Sequence, residues 1–275
     1  MRTFSTKPLV SVIIPCYNHG NYVHEAIQSV RESAGDVPYE IVVVDDGSTD
    51  AFTRSQMELL ARDGMQVVHQ TNQGLAAARN NGIKASEGKY IISLDSDNKL
   101  SHAYFSKGID ILEKSPEFDV VFGNPMFFEN EKGLRIIGDF DFSRIIKGNY
   151  VDACAVFRKS AWEKAHGYDG NMPAMGHEDW EFWIHIFLKG GRFFFLNELC
   201  FYYRNRMNSM SKTSANPNEK KNRNYIYRKH GEDIINILCD ERRNALDKIT
   251  RTSNYLKSNK LKSIVKIVLE LNISA

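Results

Sequence analysis

The chain has 275 residues, 42% hydrophobic and 25% charged, which is enough apolar material for one large α/β domain or one domain with a small appendage, and too much for a disordered chain. Its 36 basic and 34 acidic side chains leave a formal net charge of +2, so no overall field draws it to nucleic acid or another polyanion. Cys16, Cys154, Cys200 and Cys239 lie far apart without a CxxC pair, which argues against a zinc site and suits reduced thiols in a cytosol.

Residues Met1 to Pro8 lack the apolar core of a signal peptide, and no run approaches the roughly 18 apolar residues that span a bilayer, so a soluble protein is expected. Leu9 to Ile14 reads as a strand ended by Pro15. Asn21 then opens a helix whose apolar positions Val23, Ala26, Ile27 and Val30 follow i, i+3, i+4, i+7 spacing. Ile41 to Val44 is a second buried strand, closed by the turn-and-cap cluster Asp45-Asp46-Gly47-Ser48-Thr49-Asp50 before a helix through Met57, Leu59 and Leu60. Met65 to His69 gives a third strand, and the alanine-rich segment Leu75 to Ala85 a helix packed closely on the sheet. A fourth apolar run, from Tyr90, stops at Asp95-Ser96-Asp97. Strands alternating with helices imply parallel pairing through right-handed crossovers: an α/β fold with a Rossmann-like, mostly parallel sheet flanked by helices.

Beyond Ser101 the spacing predicts a helix near Tyr104 to Lys114 and a strand near Val120 to Phe122, then turn-rich chain through Gly123, Pro125, Gly133 and Gly138. Trp180, Trp183, Ile184, Phe187 and Leu188 form one apolar helical stripe stopped by Gly190-Gly191, and Phe193 to Leu196 reads as a strand. After Ser211 a polar linker precedes a helical tail, so the expected division is a domain over 1–211 and a linker with tail over 212–275.

The acids of Asp95-Ser96-Asp97 fall where a strand leaves the sheet, the edge at which open α/β sheets bind ligands. Two carboxylates there repel unless something positive lies between them, and a hard divalent ion that also holds phosphate is the usual partner. An isolated DxD triplet more often caps a helix. This one has company: Val10 to Asn18, Val44-Asp45-Asp46-Gly47-Ser48-Thr49-Asp50, Asn72 to Asn80 and Glu178-Asp179-Trp180.

In this order and at these intervals the five segments closely resemble the inverting family 2 glycosyltransferases of the GT-A fold, over roughly residues 8 to 211. The resemblance implies that Asp97 ligates Mn²⁺ or Mg²⁺ and that Asp95 holds the ribose or reaches the metal. It implies that Pro15, Tyr17, Asp45 and Asp46 hold the nucleoside of a nucleotide-sugar donor, with Arg79 nearby. Aspartate can accept a hydrogen bond from a uracil or thymine imide, which favours a uridine or thymidine donor, with a UDP-sugar expected. Asp179, opening the Trp180 helix, is the expected general base, with Glu178 as its substitute. Desolvation against the tryptophans should raise its pKa while the helix N-terminus lowers it.

One departure stands out in Tyr203-Arg204-Asn205-Arg206 and the residues after it: many members carry a histidine there that completes the metal shell, and here the position is Arg206. Arginine cannot ligate a metal but can pair with a diphosphate, so Arg204 or Arg206 is expected to share the charge stabilisation. Tyr150, Asp152, Met175 and His177 lie in the stretch expected to face the acceptor.

In the tail, Leu256, Leu261, Ile264, Val265, Val268 and Leu269 alternate with Lys257, Lys260, Lys262 and Lys266. Such a basic amphipathic helix can lie on an anionic bilayer, but more often it packs on the catalytic domain or a second subunit. The expected function is inverting sugar transfer from a UDP-sugar to a glycan or lipid-linked acceptor in surface polysaccharide synthesis. The expected place is the cytoplasm or the inner face of the membrane. A catalytically silent nucleotide-sugar or glycan-binding module and a nucleotidyltransferase are the alternatives. The second normally needs a basic glycine-rich loop after the first strand, where this chain has Pro15-Cys16-Tyr17-Asn18.

Overall fold

A computed structural model describes residues 7–102, 104–206 and 217–258. The chain forms two compact units, Met1–Ile226 and Tyr227–Ala275. In the first, β1 (Val10–Cys16), β2 (Tyr39–Asp45), β3 (Gln66–His69) and β4 (Tyr90–Ser93) pair in parallel in the order β3-β2-β1-β4. β1, β2 and β4 are near-continuous apolar runs because helices cover both faces of the sheet, whereas β3 at the edge has exposed ends. The helices are α1 (Gly20–Ser33), α2 (Ala51–Arg62) and α3 (Leu75–Ala85). The stripe expected on α1 is the buried one: Val23, Ala26 and Val30 are fully buried and Ile27 nearly so. Asp50 caps α2, its carboxylate accepting from Thr53 N–H at 2.7 Å. In α3 a Cβ on Gly82 would lie 2.4 Å from Ile13 Cγ2, so only glycine lets the helix approach β1 this closely.

After β4 the sheet turns mixed. β8 (Val156–Arg158) runs antiparallel to β4, and β6 (Val120–Glu129) antiparallel to β8. β9 (Phe193–Asn205) then lies parallel to β6, and the short β5 (Lys99–Leu100) and β7 (Gly133–Leu134) attach to β9 and β6. The helices of this half are α4 (Tyr104–Lys114), α5 (Phe142–Ile145), α6 (Lys159–Lys164) and α7 (Glu178–Leu188).

Two expectations are corrected here. Gly123 and Pro125 do not break the chain after Phe122; they sit inside β6 at irregularities in its ladder with β9. A Cβ at position 123 would meet Cys200 Sγ at 2.2 Å and Leu196 O at 2.5 Å, so this glycine marks a close strand crossing rather than a turn, and a proline is tolerated at such a break in register. β9 correspondingly runs on to Asn205, which places Arg204 in a strand rather than a loop.

α7 begins where the acidic pair predicts. It ends on Gly190, at φ +85°, where Gly190 N–H donates to Phe187 O and Gly191 N–H to Ile186 O. Its indoles are anchored as well as buried: Trp180 Nε1 donates to Ile145 O and Trp183 Nε1 to Val151 O. α8 (Pro217–Ser258) starts eight residues before the expected resumption of helix at Tyr225, and the first unit reaches Ile226 rather than closing at 211. Asn222 shows why, since it is fully buried and bonds Ala174 N–H, Ala174 O and Gly176 O. In the second unit, residues 240–250 of α8 are exposed. Positions 207–216 and 259–275, which include most of the basic tail pattern, lie outside the described residues.

Candidate active site

The carboxyl ends of β1, β2 and β4 come level because their registers fix them: Cys16 pairs with Asp45 and Ile13 with Ser93. The chain leaving each strand enters one cavity of about 430 Å³, a volume suited to a nucleotide-sized ligand. From β1 come Pro15, Tyr17 and His19, from β2 Asp46, from β4 Asp95, Ser96 and Asp97, and from β9 and the residue after it Arg204 and Arg206.

The two aspartates after β2 divide. Asp46 reaches the cavity, yet its carboxylate also ties down the loop before α3. It accepts from Gln73 N–H at 2.7 Å, Gln70 Nε2 at 2.7 Å and Gly74 N–H at 2.9 Å. Asp45 is not part of the cavity wall; its oxygens take Ser48 N–H at 3.0 Å and approach His69 Nδ1 at 3.2 Å. The nucleoside role expected of Asp45 therefore has no direct geometry behind it. Asp45 shapes the turn that Asp46 stands on.

Arg79 is likewise beneath the site rather than in it. On α3, with 2% of its side chain exposed, it donates from Nε to Ser93 Oγ at 2.9 Å and from Nη2 to Asp95 Oδ1 at 2.7 Å, and Nη1 pairs with Glu178. Burial opposes its charge, but Asp95 and Glu178 more than restore it and hold its pKa well above the ordinary value. It thus joins the acid at the end of β4 to the start of α7.

Glu178 is spent in that pair, and Asp179 is the acid left to act. Half-buried, it accepts from Asn149 Nδ2 at 2.9 Å and from Trp180 N–H at 2.8 Å. Burial first, then repulsion from Glu178, pushes its pKa up to about 8 against the opposing pull of Arg79. Sequence reasoning placed Asp152, whose pKa burial and then Asp95 push up to about 7, only in the stretch expected to face the acceptor. It passed over His19, whose Nδ1 lies 3.3 Å from Ser96 Oγ. For His19 the sequence cue was position, three residues beyond the end of β1.

Arg204 lines the cavity with its charge already matched: it pairs with Glu25 and Glu129, and Nε donates to the backbone oxygen of Asp97 at 2.8 Å. Arg206 lies closer to the acids. Its Nη2 donates to Asp97 Oδ2 at 2.6 Å and stands 3.2 Å from His19 Nε2. Burial lowers the pKa of His19, so the ring is neutral near pH 7 and accepts from the guanidinium.

These contacts bear on the divalent ion expected at Asp97 and Asp95. Arg206 Nη2 stands between Asp97 Oδ2 and His19 Nε2, and Asp95 Oδ1 is held by Arg79. Among the described residues Asp95, Asp97 and His19 do not converge as a ligand cluster. The two carboxylates are the hard oxygen donors such an ion would take. Both carboxylates already have a cation, and each is a guanidinium.

Residues 11–165 match the family model described as Glycosyl transferase family 2. The chain is 39% identical over 116 residues to EpsJ, an uncharacterized glycosyltransferase of Bacillus subtilis (strain 168), covering 42% of this chain and 33% of EpsJ. It is 27% identical over 213 residues to TuaG, a putative teichuronic acid biosynthesis glycosyltransferase of the same organism, covering 74% of this chain and 82% of TuaG. The structure is similar to that of S. aureus TarS 1-349 in complex with UDP, with a TM-score of 0.60 and 23% identity over 73% of this chain and 61% of that one. At that identity the likeness speaks for the fold alone. The chain spans a third or less of the first curated relatives it matches.

Proposed function

The chain belongs to glycosyl transferase family 2, and from that premise we propose that it moves one sugar, with inversion, from a UDP-sugar to a glycan or lipid-linked acceptor in surface polysaccharide synthesis. The observation that carries the reading is the meeting of two half-sites. A nucleotide-sized cavity sits at the carboxyl ends of β1, β2 and β4, and an acid with a raised pKa opens the neighbouring α7, with Arg79 between them. UDP in TarS and the teichuronic acid role given for TuaG support the choice of donor and pathway class.

In this reading Pro15, Tyr17 and Asp46 take the nucleoside, and Asp95, Ser96 and Asp97 face the ribose and diphosphate. Asp179 accepts the proton of the acceptor hydroxyl as its oxygen attacks the anomeric carbon. The bond from that carbon to the diphosphate oxygen breaks on the opposite side, UDP leaves with the electron pair, and the configuration inverts. Donors aimed at the leaving group lower the barrier by meeting charge as it develops. Location at the cytoplasmic face is part of the proposal; among the described residues no helix is long and apolar enough to cross a membrane.

The test is UDP release from a panel of UDP-sugars with and without acceptor glycans. Release that Asp179→Asn lowers by about 10²-fold or more while UDP still binds supports the reading, in line with loss of a general base. Tight UDP binding with no release from any sugar makes the chain a binding module.

A further inference from the structure

Met175 is an apolar side chain held in the open. It is 51% exposed, stands on the cavity wall, and comes from the loop that leads into α7 and Asp179. That loop is pinned on both sides of it. Asn222, fully buried, accepts from Ala174 N–H at 3.1 Å and donates to Ala174 O at 3.1 Å and Gly176 O at 2.8 Å. His177 then enters α7 at φ +66°, a conformation that a residue other than glycine keeps only where its surroundings enforce it.

The tip of the side chain rests on the nucleoside half of the cavity. A Cβ on Gly74 would lie 3.2 Å from the Met175 methyl carbon and 3.6 Å from its sulfur, and Gly74 N–H donates to Asp46 at 2.9 Å. Pro15, Leu75, Ala78 and Tyr17 line the same cavity, and Tyr17 is itself 43% exposed. Large apolar side chains kept exposed in a concave site are the surface that an apolar part of a ligand covers. A diphosphate, charged and hydrated, gains nothing from such a wall. A nucleobase is flat and apolar on its faces, and a thioether makes favourable contact with an aromatic ring.

We propose that Met175 covers the nucleobase of the donor, so that the loop carrying Asp179 also forms part of the nucleotide site. The inference rests on the nucleotide-sugar reading and deepens it. Sequence position groups Met175 with the acceptor-facing stretch; the cavity groups it with the donor. A seated nucleobase then adds a second anchor, beside Asn222, to the segment that positions Asp179.

Methionine-methyl NMR of the full-length chain, titrated separately with UDP, uridine and inorganic pyrophosphate, tests this, and Met175→Leu identifies the resonance. A methyl group over an aromatic ring is shifted upfield by the ring current. The Met175 signal is expected to move upfield with UDP and with uridine and to keep its place with pyrophosphate. Met175→Ala is expected to weaken UDP and uridine by a common factor of about fivefold, from the lost apolar contact, with the melting temperature unchanged because the side chain is half in water. No upfield shift with bound UDP, an equal shift with pyrophosphate, or undiminished UDP affinity in Met175→Ala overturns the inference while the nucleotide reading stands. If UDP does not bind the unmodified chain, both fall.

Discussion

Asp179 shows how much a single side chain owes to its neighbours. Sequence placed it at a helix start beside two tryptophans and left two opposing effects unweighed. In the fold, desolvation and Glu178 outweigh Arg79, and the acid ionises only near pH 8. A base must be anionic to act, so kcat/KM should rise as pH increases, with its midpoint near 8, and a pH profile of UDP-sugar turnover checks it. The stability sign is the reverse of the usual carboxylate case. Between the ordinary aspartate value near 4 and about 8 the folded state holds a proton that the unfolded state has released, so stability falls as pH rises through this window. Asp179→Asn should therefore gain melting temperature on the unmodified chain from pH 5 to pH 8. The acids were legible in sequence because they end strands and open helices. Their partners were not, since Arg79 and Glu178 lie 99 positions apart and only the fold joins them.

Among the elements, periodicity carried the first half well. The stripe of α1 and the apolar runs of β1, β2 and β4 are each dictated by a face that must be buried. It failed at β6, because a glycine and a proline that serve as close-packing and irregularity residues look the same in sequence as turn residues. The distinction has a measurable cost. Gly123→Ala puts a methyl group against Cys200 and the Leu196 carbonyl, and β9 cannot retreat without disturbing its other ladder with β5. The expected loss is roughly 1–3 kcal/mol, seen as a lower urea midpoint with an unchanged slope. Because Arg204 and Arg206 stand at the far end of β9, UDP affinity should fall with it.

At the scale of the whole molecule, every residue assigned to the proposed site lies between Pro15 and Arg206, and the first compact unit ends at Ile226. A chain cut after Ile226 should keep its UDP affinity within about twofold, since no assigned contact is removed. A chain cut after Ser211 should not. It loses Asn222, which ties Ala174 and Gly176 just before His177, the residue that enters α7 at φ +66° and sets the approach of Asp179. Leaving those partly buried backbone groups without partners costs on the order of 1 kcal/mol, and thermal melts of the two truncations separate the cases. Sequence placed this boundary at the polar stretch after Ser211. From Pro217 on, that polar stretch is a helix that nonetheless buries Asn222 and Ile226.

Arg79 answers to two masters, Asp95 on the side proposed for the nucleotide and Glu178 with Asp179 on the side proposed for the acceptor. A shared counter-ion obliges the two halves to negotiate: whatever arriving donor does to the proton affinity across α7, protonation there must do in equal measure to donor affinity. In the proposed reaction, donor affinity and readiness for deprotonation are thereby linked through one guanidinium beneath the cavity.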